Sequence, residues 1–237
     1  MVRRWMPLAL IFLLGLGLRI VEYRNKPCVS RDSALYIECA ASPAIGNDIR
    51  AGFWRLPYIC LLRIPAAAGW NIERFGVTVN ILCGSLSAML IVLVARRAAI
   101  PGGLWAELLA AVNPWCVDFS TETQREAPYI LLTLAALYGF FAYLDTGTIW
   151  RLLLAVVALF GAFLLRVEAL EPLAAMLLAA AAVMWRRKRR RAFFDFGLAA
   201  ATALILFAGY ILTIRAAFGL EPCSQVVKIM HSWRVRL

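Results

Sequence analysis

Charged side chains gather at three places in a chain that is otherwise strongly apolar. The first is "SRDSALYIEC" (30–39), which carries Arg31 and Asp32 with Tyr36 after them. A guanidinium binds phosphate through paired hydrogen bonds, and a carboxylate can take a proton from an attacking hydroxyl group. Ser30 is placed to cap a helix, in which Asp32 and Tyr36 would lie one turn apart on one face. The alternative that Asp32 only supports the cap or pairs with Arg31 stays open.

The second place is "NPWCVDFSTETQREAPY" (113–129), a proline-containing helix end that leads into a segment rich in hydroxyl groups and carboxylates. Pro128 predicts the first turn of the next helix, because proline is favoured there. Glu126 then lies near the helix N-terminus, where the helix dipole favours a carboxylate. Glu122 and Glu126 are therefore candidate site residues, and a solvated loop with a helix-start acid is the open alternative.

The third place is "FLLRVEALEPL" (163–173), where Arg166 and Glu168 lie between two apolar runs. Glu171 lies further into the following run than a plain loop requires. An ionisable group at membrane depth is costly, and it is a functional-site hypothesis unless its side chain reaches out to the interface. Arginines and carboxylates at the ends of several apolar segments are what an enzyme acting on a phosphate-linked lipid needs.

The composition predicts an integral membrane protein. The chain has 237 residues, of which 63% are hydrophobic and 16% charged, and its mean hydropathy is +0.77. A soluble domain has about 45–50% apolar and about 25% charged residues. The net charge of +11 does not indicate nucleic-acid binding, because the basic residues flank apolar segments and do not alternate with aromatic ones.

The apolar runs predict an all-α fold: one polytopic transmembrane helical bundle over residues 1–237 with about seven spans. The first span is expected to be an uncleaved helix, since no small-residue cleavage motif follows it. Residues 55–70 are predicted to form an interfacial or re-entrant helix in the first outer loop, because Arg63 and Pro65 interrupt them. The seven predicted spans are residues 5–21, 76–95, 103–118, 128–144, 149–165, 168–185 and 193–214.

Basic clusters set the expected orientation. A cytoplasmic N-terminus puts Arg3, Arg4, Arg96, Arg97 and the run at 185–191 on the cytoplasmic side. The three polar segments described above then share the outer face. Three acids are expected near the inner side instead: Glu107, Asp145 and Asp195.

Metal-binding residues form no recognisable motif. The chain has six cysteines and one histidine, without a CxxC or Cys/His spacing, which argues against zinc. A divalent cation held by the outer carboxylates stays open as a cofactor. A disulfide among Cys28, Cys39 and Cys60 also stays open, because these three share the first outer loop.

The order of these segments resembles the N-terminal part of the GT-C membrane glycosyltransferases. The resemblance is to the protein O-mannosyltransferases and the bacterial aminoarabinose–lipid A transferases, and it covers about residues 1–215. In this family a first span is followed by an outer loop with Asp, Tyr and Ala, as in "RDSALYIECA". The segments "WRLPYICLLRIPAAAG", "VNILCGSLSAML" and "GAFLLRVEALEPL" are similar to the family's interfacial helix, its "N-x-L-x-G" span and its "L-x-R-x-E" stretch.

The resemblance implies transfer of a sugar from a polyprenyl-phosphate donor to a lipid, glycan or protein acceptor. The reaction would take place at the outer face of a bacterial inner membrane, among membrane lipids and without nucleic acid. Asp32 takes the position of the catalytic base, and Arg166 that of a group near the donor phosphate. Arg31, beside Asp32, is expected to bind the same phosphate. Four further side chains are assigned to support of the acceptor or a metal ion: Tyr36, Glu122, Glu126 and Glu168.

Two features depart from the family pattern. Ser33 stands where many relatives have Glu, and the chain ends just after its seventh predicted span. A short variant, a truncated reading frame and half of a split enzyme are the open explanations for this length. A non-catalytic membrane protein, either a transporter half or an assembly subunit, is the rival class. A transporter should carry polar groups near the midplane, whereas the charges here are expected at one face.

Overall fold

The computed structural model describes residues 6–26, 28–42, 56–187 and 190–218. Every regular element within these ranges is helical, which confirms the all-α fold. The helices are α1 (Met6–Asn25), α2 (Arg31–Ala41), α3 (Leu56–Ala67), α4 (Ile72–Arg97), α5 (Gly103–Val112), α6 (Pro114–Ser120), α7 (Glu126–Thr146), α8 (Ile149–Leu165), a short 3-10 turn (Val167–Ala169), α9 (Leu170–Arg187) and α10 (Arg190–Phe218).

Four helices are long and apolar enough to cross a membrane, and they identify an integral membrane protein. They are Met6–Asn25, Ile72–Arg97, Glu126–Thr146 and Phe193–Ala216. Helices α3, α5 and α8 are apolar but have only 10–17 residues. The structure therefore supports four of the predicted spans on length and composition, and the total of seven stays a prediction.

The predicted run at 103–118 is broken into two helices. Helix α5 ends at Val112 and α6 begins at Pro114, which has no backbone N–H and cannot continue the preceding helix. Asn113 lies at the break, and its side-chain oxygen accepts from the backbone N–H of Cys116 at 3.2 Å. The hydropathy pattern does not reveal this break, because the residues on both sides are apolar. Pro114 is also a favoured first residue of a helix.

The polar residues divide between two ends of the bundle. Helices α4 and α7 run in the same direction, and Arg97 forms an ion pair with Asp145 at 3.0 Å near the end of both helices. Near their start, the Asn80 amide donates to the backbone carbonyl of Gln124 at 2.5 Å. We call the end with the segment 121–126 the site end. About 30 Å separates it from the opposite end, the length of the 21-residue α7.

This division is the one that the charge pattern predicts. At the opposite end Asp195 accepts a hydrogen bond from Tyr143 at 2.9 Å, beside the Arg97–Asp145 pair. Which end faces the cytoplasm stays a prediction. Arg3 and Arg4 lie outside the described residues, as do the side chains of the basic run at 185–191.

The "N-x-L-x-G" stretch of α4 joins this helix to the site end. Asn80 is fully buried, donates to the carbonyls of Glu122 and Gln124, and accepts from the Tyr58 hydroxyl at 3.3 Å. A Cβ on Gly84 would overlap Ser120 Oγ and would lie 2.8 Å from Ser120 Cβ. The glycine thus permits the close approach of α4 and α6, and the asparagine fixes the segment that follows α6.

Replacing Gly84 with alanine is expected to destabilise the bundle by about 1–3 kcal/mol, because the new methyl group overlaps Ser120. The measurement is thermal unfolding of the purified protein in detergent. Gly17→Ala in α1 is the matched control, since a Cβ there meets nothing within 4 Å. Equal unfolding temperatures for the two variants would show that α4 and α6 do not require this close approach.

Candidate active site

Helix α2 presents Asp32 at its start, as expected. Ser30 is the N-cap, and its hydroxyl oxygen accepts from the Ser33 N–H at 3.3 Å, which confirms the predicted cap. Arg31 and Asp32 occupy the first turn and are exposed. Neither forms a hydrogen bond or ion pair with another described residue.

Tyr36 lies in the interior and not beside Asp32 at the surface. Its side chain is 4% exposed and packs edge-on against Tyr58, with ring centroids 5.2 Å apart. The tyrosine anchors α2 on α3 within an apolar cluster that includes Leu62. Its expected part in acceptor support remains untested, whereas its part in holding α2 in place follows directly from these contacts.

Glu122 is the centre of the first polar cluster. Its Oε1 lies 2.6 Å from Lys26 Nζ, and its Oε2 accepts from the Ser30 and Ser33 hydroxyls, the latter at 3.1 Å, and from Gln124 Nε2 at 2.5 Å. Three donors therefore converge on Oε2 and the Lys26 ammonium lies on Oε1, so both oxygens of the carboxylate have partners. The Glu122 cluster therefore ties the start of α2 to the segment after α6.

Lys26 completes this cluster from the end of α1. Its ammonium group also lies 2.7 Å from Asp118 Oδ1, so it bridges two carboxylates. Burial alone would raise the pKa of Glu122, but the Lys26 ammonium and the serine hydroxyls outweigh burial and hold it below the ordinary value. Burial alone would lower the pKa of Lys26, but Asp118 and Glu122 raise it above the ordinary value.

The two pKa shifts predict that the free energy of unfolding is highest at intermediate pH and falls in both acid and alkaline solution. The depressed pKa of Glu122 stabilises the folded state above about pH 4.3, and this contribution is lost as the pH falls through the folded-state value. The raised pKa of Lys26 stabilises it below about pH 10.4, and this contribution is lost as the pH rises through the folded-state value. Unfolding temperatures measured across this range should fall at both limits. Glu122→Gln should flatten the acid limb, and an unchanged acid limb would contradict the assignment.

Arg166 is the centre of the second polar cluster. Its guanidinium lies 2.9 Å from Glu126 Oε1 and 2.8 Å from Glu168 Oε1, and it stands over the Tyr129 ring at 5.8 Å. Helix α7 begins at Glu126, which confirms the predicted helix-start acid. The hydrogen bond and charge of Arg166 hold the pKa of Glu168 below its ordinary value. Glu168 is the more exposed partner, with 44% of its side chain accessible against 21% for Glu126.

The segment 121–126 connects the two clusters. It supplies Glu122 to the first and Glu126 to the second, while Arg125 donates to the Leu165 carbonyl at 2.9 Å. The structure thus brings the predicted residues Glu122, Glu126, Arg166 and Glu168 to one end of the bundle. No hydrogen bond or ion pair of the described residues links Arg31 to Arg166, so their joint role at a phosphate stays a prediction.

Sequence reasoning missed the site contacts of three residues: Lys26, Asn80 and Ser33. The signal for Lys26 was its position directly after the first apolar run, opposite several predicted outer acids. The Ser33 hydroxyl donates a hydrogen bond to the carboxylate of Glu122, which lies in a distant part of the sequence. Asn80 carried no signal beyond the family-like stretch, since its partners are backbone carbonyls.

The carboxylates do not form a metal site within the described residues. No group of three or more His, Cys, Asp or Glu side chains there is placed to hold one ion. The space between Asp118 and Glu122 is taken by the Lys26 ammonium.

Two charged side chains are buried away from these clusters, which the sequence analysis did not foresee. Arg19 in α1 is 1% exposed and donates to the Ala111 carbonyl at 3.2 Å, next to the break between α5 and α6. Glu107 in α5 is fully buried, and neither carboxylate oxygen has a hydrogen-bond partner among the described residues. Arg19 thus ties α1 to a carbonyl at the end of a helix.

An apolar cavity of about 510 Å³ opens beside the second cluster. It lies between α7, α8, α9 and α10, and its lining includes Phe163, Ala169 and Leu170. Ala169 and Leu170 directly follow Glu168, so the cavity begins where the Arg166 cluster ends.

Residues 69–212 match the dolichyl-phosphate-mannose-protein mannosyltransferase family, and the chain belongs to this family. This match confirms the resemblance to the GT-C membrane glycosyltransferases. The match covers α4 to α9 and most of α10, including Glu122, Glu126 and Arg166, whereas Asp32 precedes it. No curated protein matches the chain. No solved structure matches it either.

Proposed function

We propose that the chain transfers a single sugar from a polyprenyl-phosphate donor to a hydroxyl acceptor at the outer face of the membrane. The observation that carries this proposal is the continuity of the site. The Arg166 cluster lies directly beside an apolar cavity of about 510 Å³, and the segment 121–126 links it to the start of α2. A donor with a phosphate between a sugar and a long apolar chain has the same order of parts.

The donor phosphate is proposed to bind Arg166 by exchange with Glu168. An exposed ion pair contributes about 0–1 kcal/mol, so the half-exposed Glu168 can give way at little cost. Glu126 is less exposed and keeps the guanidinium in place during the exchange. The polyprenyl chain then lies along the apolar lining between α8, α9 and α10, and membrane lipids cover the remainder of these helices.

Asp32 is proposed to act as the general base. Its carboxylate accepts the proton of the acceptor hydroxyl, whose oxygen attacks the anomeric carbon of the donor sugar. The bond between this carbon and the phosphate oxygen breaks, and polyprenyl phosphate leaves as an anion held by Arg166. Displacement from the opposite face inverts the configuration at the anomeric carbon. Arg31, next to Asp32, is proposed to contribute a second charge toward the phosphate.

Glu122 is proposed to position Asp32 and not to react itself. Both of its oxygens already have partners, and two of these are the hydroxyls of Ser30 and Ser33, which flank Arg31 and Asp32 in the sequence. Tyr36, in the middle of α2, packs against Tyr58 of α3. The base is therefore carried on a short helix that is held at its start by Glu122 and along its buried face by α3, as precise proton transfer requires.

The same proposal includes the orientation of the chain in the membrane and its number of spans. We place the N-terminus in the cytoplasm, count about seven spans, and assign the site end to the outer face of a bacterial inner membrane. The acceptor class, whether lipid, glycan or protein, is set by surfaces that the two clusters do not define.

The direct test is release of polyprenyl phosphate from a labelled polyprenyl-phosphate sugar. Membranes containing the full chain should release it faster than membranes without the chain, with the label moving to an acceptor. Mannose, glucose and 4-aminoarabinose donors cover the neutral and cationic sugars. Intact donor in all three reactions, with folded protein in the membrane, would favour the non-catalytic alternative.

A further inference from the structure

A second, smaller pocket lies at the site end, and Glu122 is part of its lining. Its volume is about 140 Å³, and it is formed by the end of α1, the start of α4 and the segment after α6. The side chains in its lining that bear on ligand chemistry are those of Tyr23, Lys26, Cys28, Glu73, Thr121 and Glu122.

Two polar groups of this pocket lack partners within the described part of the chain. The Glu73 carboxylate, in the first turn of α4, has no hydrogen bond or ion pair there, and the Tyr23 hydroxyl has none either. Lys26 and Glu122, by contrast, are already paired with each other at 2.6 Å. A ligand in the pocket would therefore meet one free acceptor, one free hydroxyl and an ion pair.

The size of the pocket limits the ligand to one ring. A cavity of about 150 Å³ holds a single six-membered ring, and sites for drug-sized ligands begin at about 300 Å³. At about 140 Å³ the pocket has room for one pyranose or furanose ring and not for a disaccharide. Its carboxylate and phenol groups suit the several hydroxyl groups that such a ring carries.

The charge of the pocket selects among single sugars. Glu73 and Glu122 contribute two negative charges and Lys26 one positive charge, which is further neutralised by Asp118 outside the lining. A sugar carboxylate would face an excess of negative charge at close range, which disfavours binding. A neutral sugar, or one with an amino group, meets no such repulsion.

We infer that this pocket binds one neutral or amino-substituted sugar ring and rejects a uronic acid. The inference rests on the proposed function and deepens it, because it states the sugar class that the enzyme handles. Glu73 and Tyr23 contact the ring hydroxyls, and Glu73 is the residue that discriminates by charge. The ring belongs either to the donor or to a glycan acceptor, since both present the same chemistry.

The test uses Cys28 as a reporter. Its thiol is free and exposed and lines the pocket, whereas Cys60 is equally free and exposed on α3 and serves as the internal control. The full chain in lipid nanodiscs is alkylated with iodoacetamide, and both sites are quantified by peptide mass spectrometry. In the first arm, the sample contains a polyprenyl-phosphate sugar whose sugar is mannose, 4-aminoarabinose or galacturonic acid. In the second arm, it contains the methyl glycoside of the same sugar together with polyprenyl phosphate.

Mannose and 4-aminoarabinose should slow alkylation of Cys28 at least threefold and leave the alkylation rate of Cys60 unchanged. Galacturonic acid should require at least tenfold higher concentration for the same protection of Cys28. Protection in the first arm alone assigns the donor sugar, and protection in the second assigns a glycan acceptor. Glu73→Gln should reduce the discrimination against galacturonic acid to less than threefold, while Glu22→Gln, an exposed acid on α1, should not. The inference is overturned if neither neutral nor amino sugars protect Cys28, or if galacturonic acid protects equally well.

The outcome is separable from that of the proposed function. Release of polyprenyl phosphate without protection of Cys28 would support sugar transfer and refute sugar binding in the pocket. Protection without release would support the pocket and refute the transfer.

Discussion

Asp32→Asn is expected to lower sugar transfer by about 10²–10⁴-fold, the usual contribution of a positioned general base. Asparagine keeps the shape of the side chain and removes its capacity to take a proton. Because Asp32 is exposed and has no partner among the described residues, the change should leave folding and membrane insertion intact. The rate of polyprenyl-phosphate release under saturating donor and acceptor measures the effect on the chemical step.

The matched control for Asp32 is Glu38→Gln. Glu38 is a second exposed acid on α2, and its replacement removes the same charge from the same helix. Transfer by this variant should stay within about twofold of the unaltered chain, since surface substitutions away from a site have small effects. Full activity of Asp32→Asn, or an equal loss in both variants, would remove Asp32 from the mechanism.

The sequence predicts the apolar helices well and their interruptions less well. Long hydrophobic runs such as Ile72–Arg97 are determined locally, because a membrane requires about 20 consecutive apolar residues. The break at Asn113 depends on one proline that is equally compatible with a helix start. Whether α8, with 17 residues, spans or only packs against α7 is decided by its surroundings and not by its own composition.

The candidate site shows the same contrast between local and distant information. Asp32 and Glu126 are recognisable because each follows a local rule at the start of a helix. The Glu122 cluster is not recognisable from the sequence, because Glu122 contacts side chains about 90 positions away. Ser33, for example, is separated from it by 89 positions. Pairing at such separations depends on how α1, α2 and α6 pack, which a hydropathy pattern does not specify.

Arg166→Met is expected to lower transfer by about 10²–10³-fold, the usual cost of losing one group that stabilises developing charge. The variant leaves the polyprenyl phosphate without the guanidinium that holds it as it leaves. Arg166→Lys should have an intermediate rate, since lysine restores the charge but not the paired hydrogen bonds. Glu168→Gln tests the exchange step: removing the competing carboxylate should lower the KM for the donor without lowering kcat.

The chain provides a close control for Arg166 in Arg97. Arg166 pairs with Glu126 at 2.9 Å and stands over Tyr129 at 5.8 Å, and Arg97 pairs with Asp145 at 3.0 Å and stands over Tyr138 at 5.6 Å. The two arginines thus make the same kinds of contact at opposite ends of α7. Replacement of either by methionine should cost about 0–1 kcal/mol of stability for each exposed ion pair. Only Arg166→Met should lower donor turnover by about 10²–10³-fold. Equal activity in the two variants would mean that the phosphate binds elsewhere.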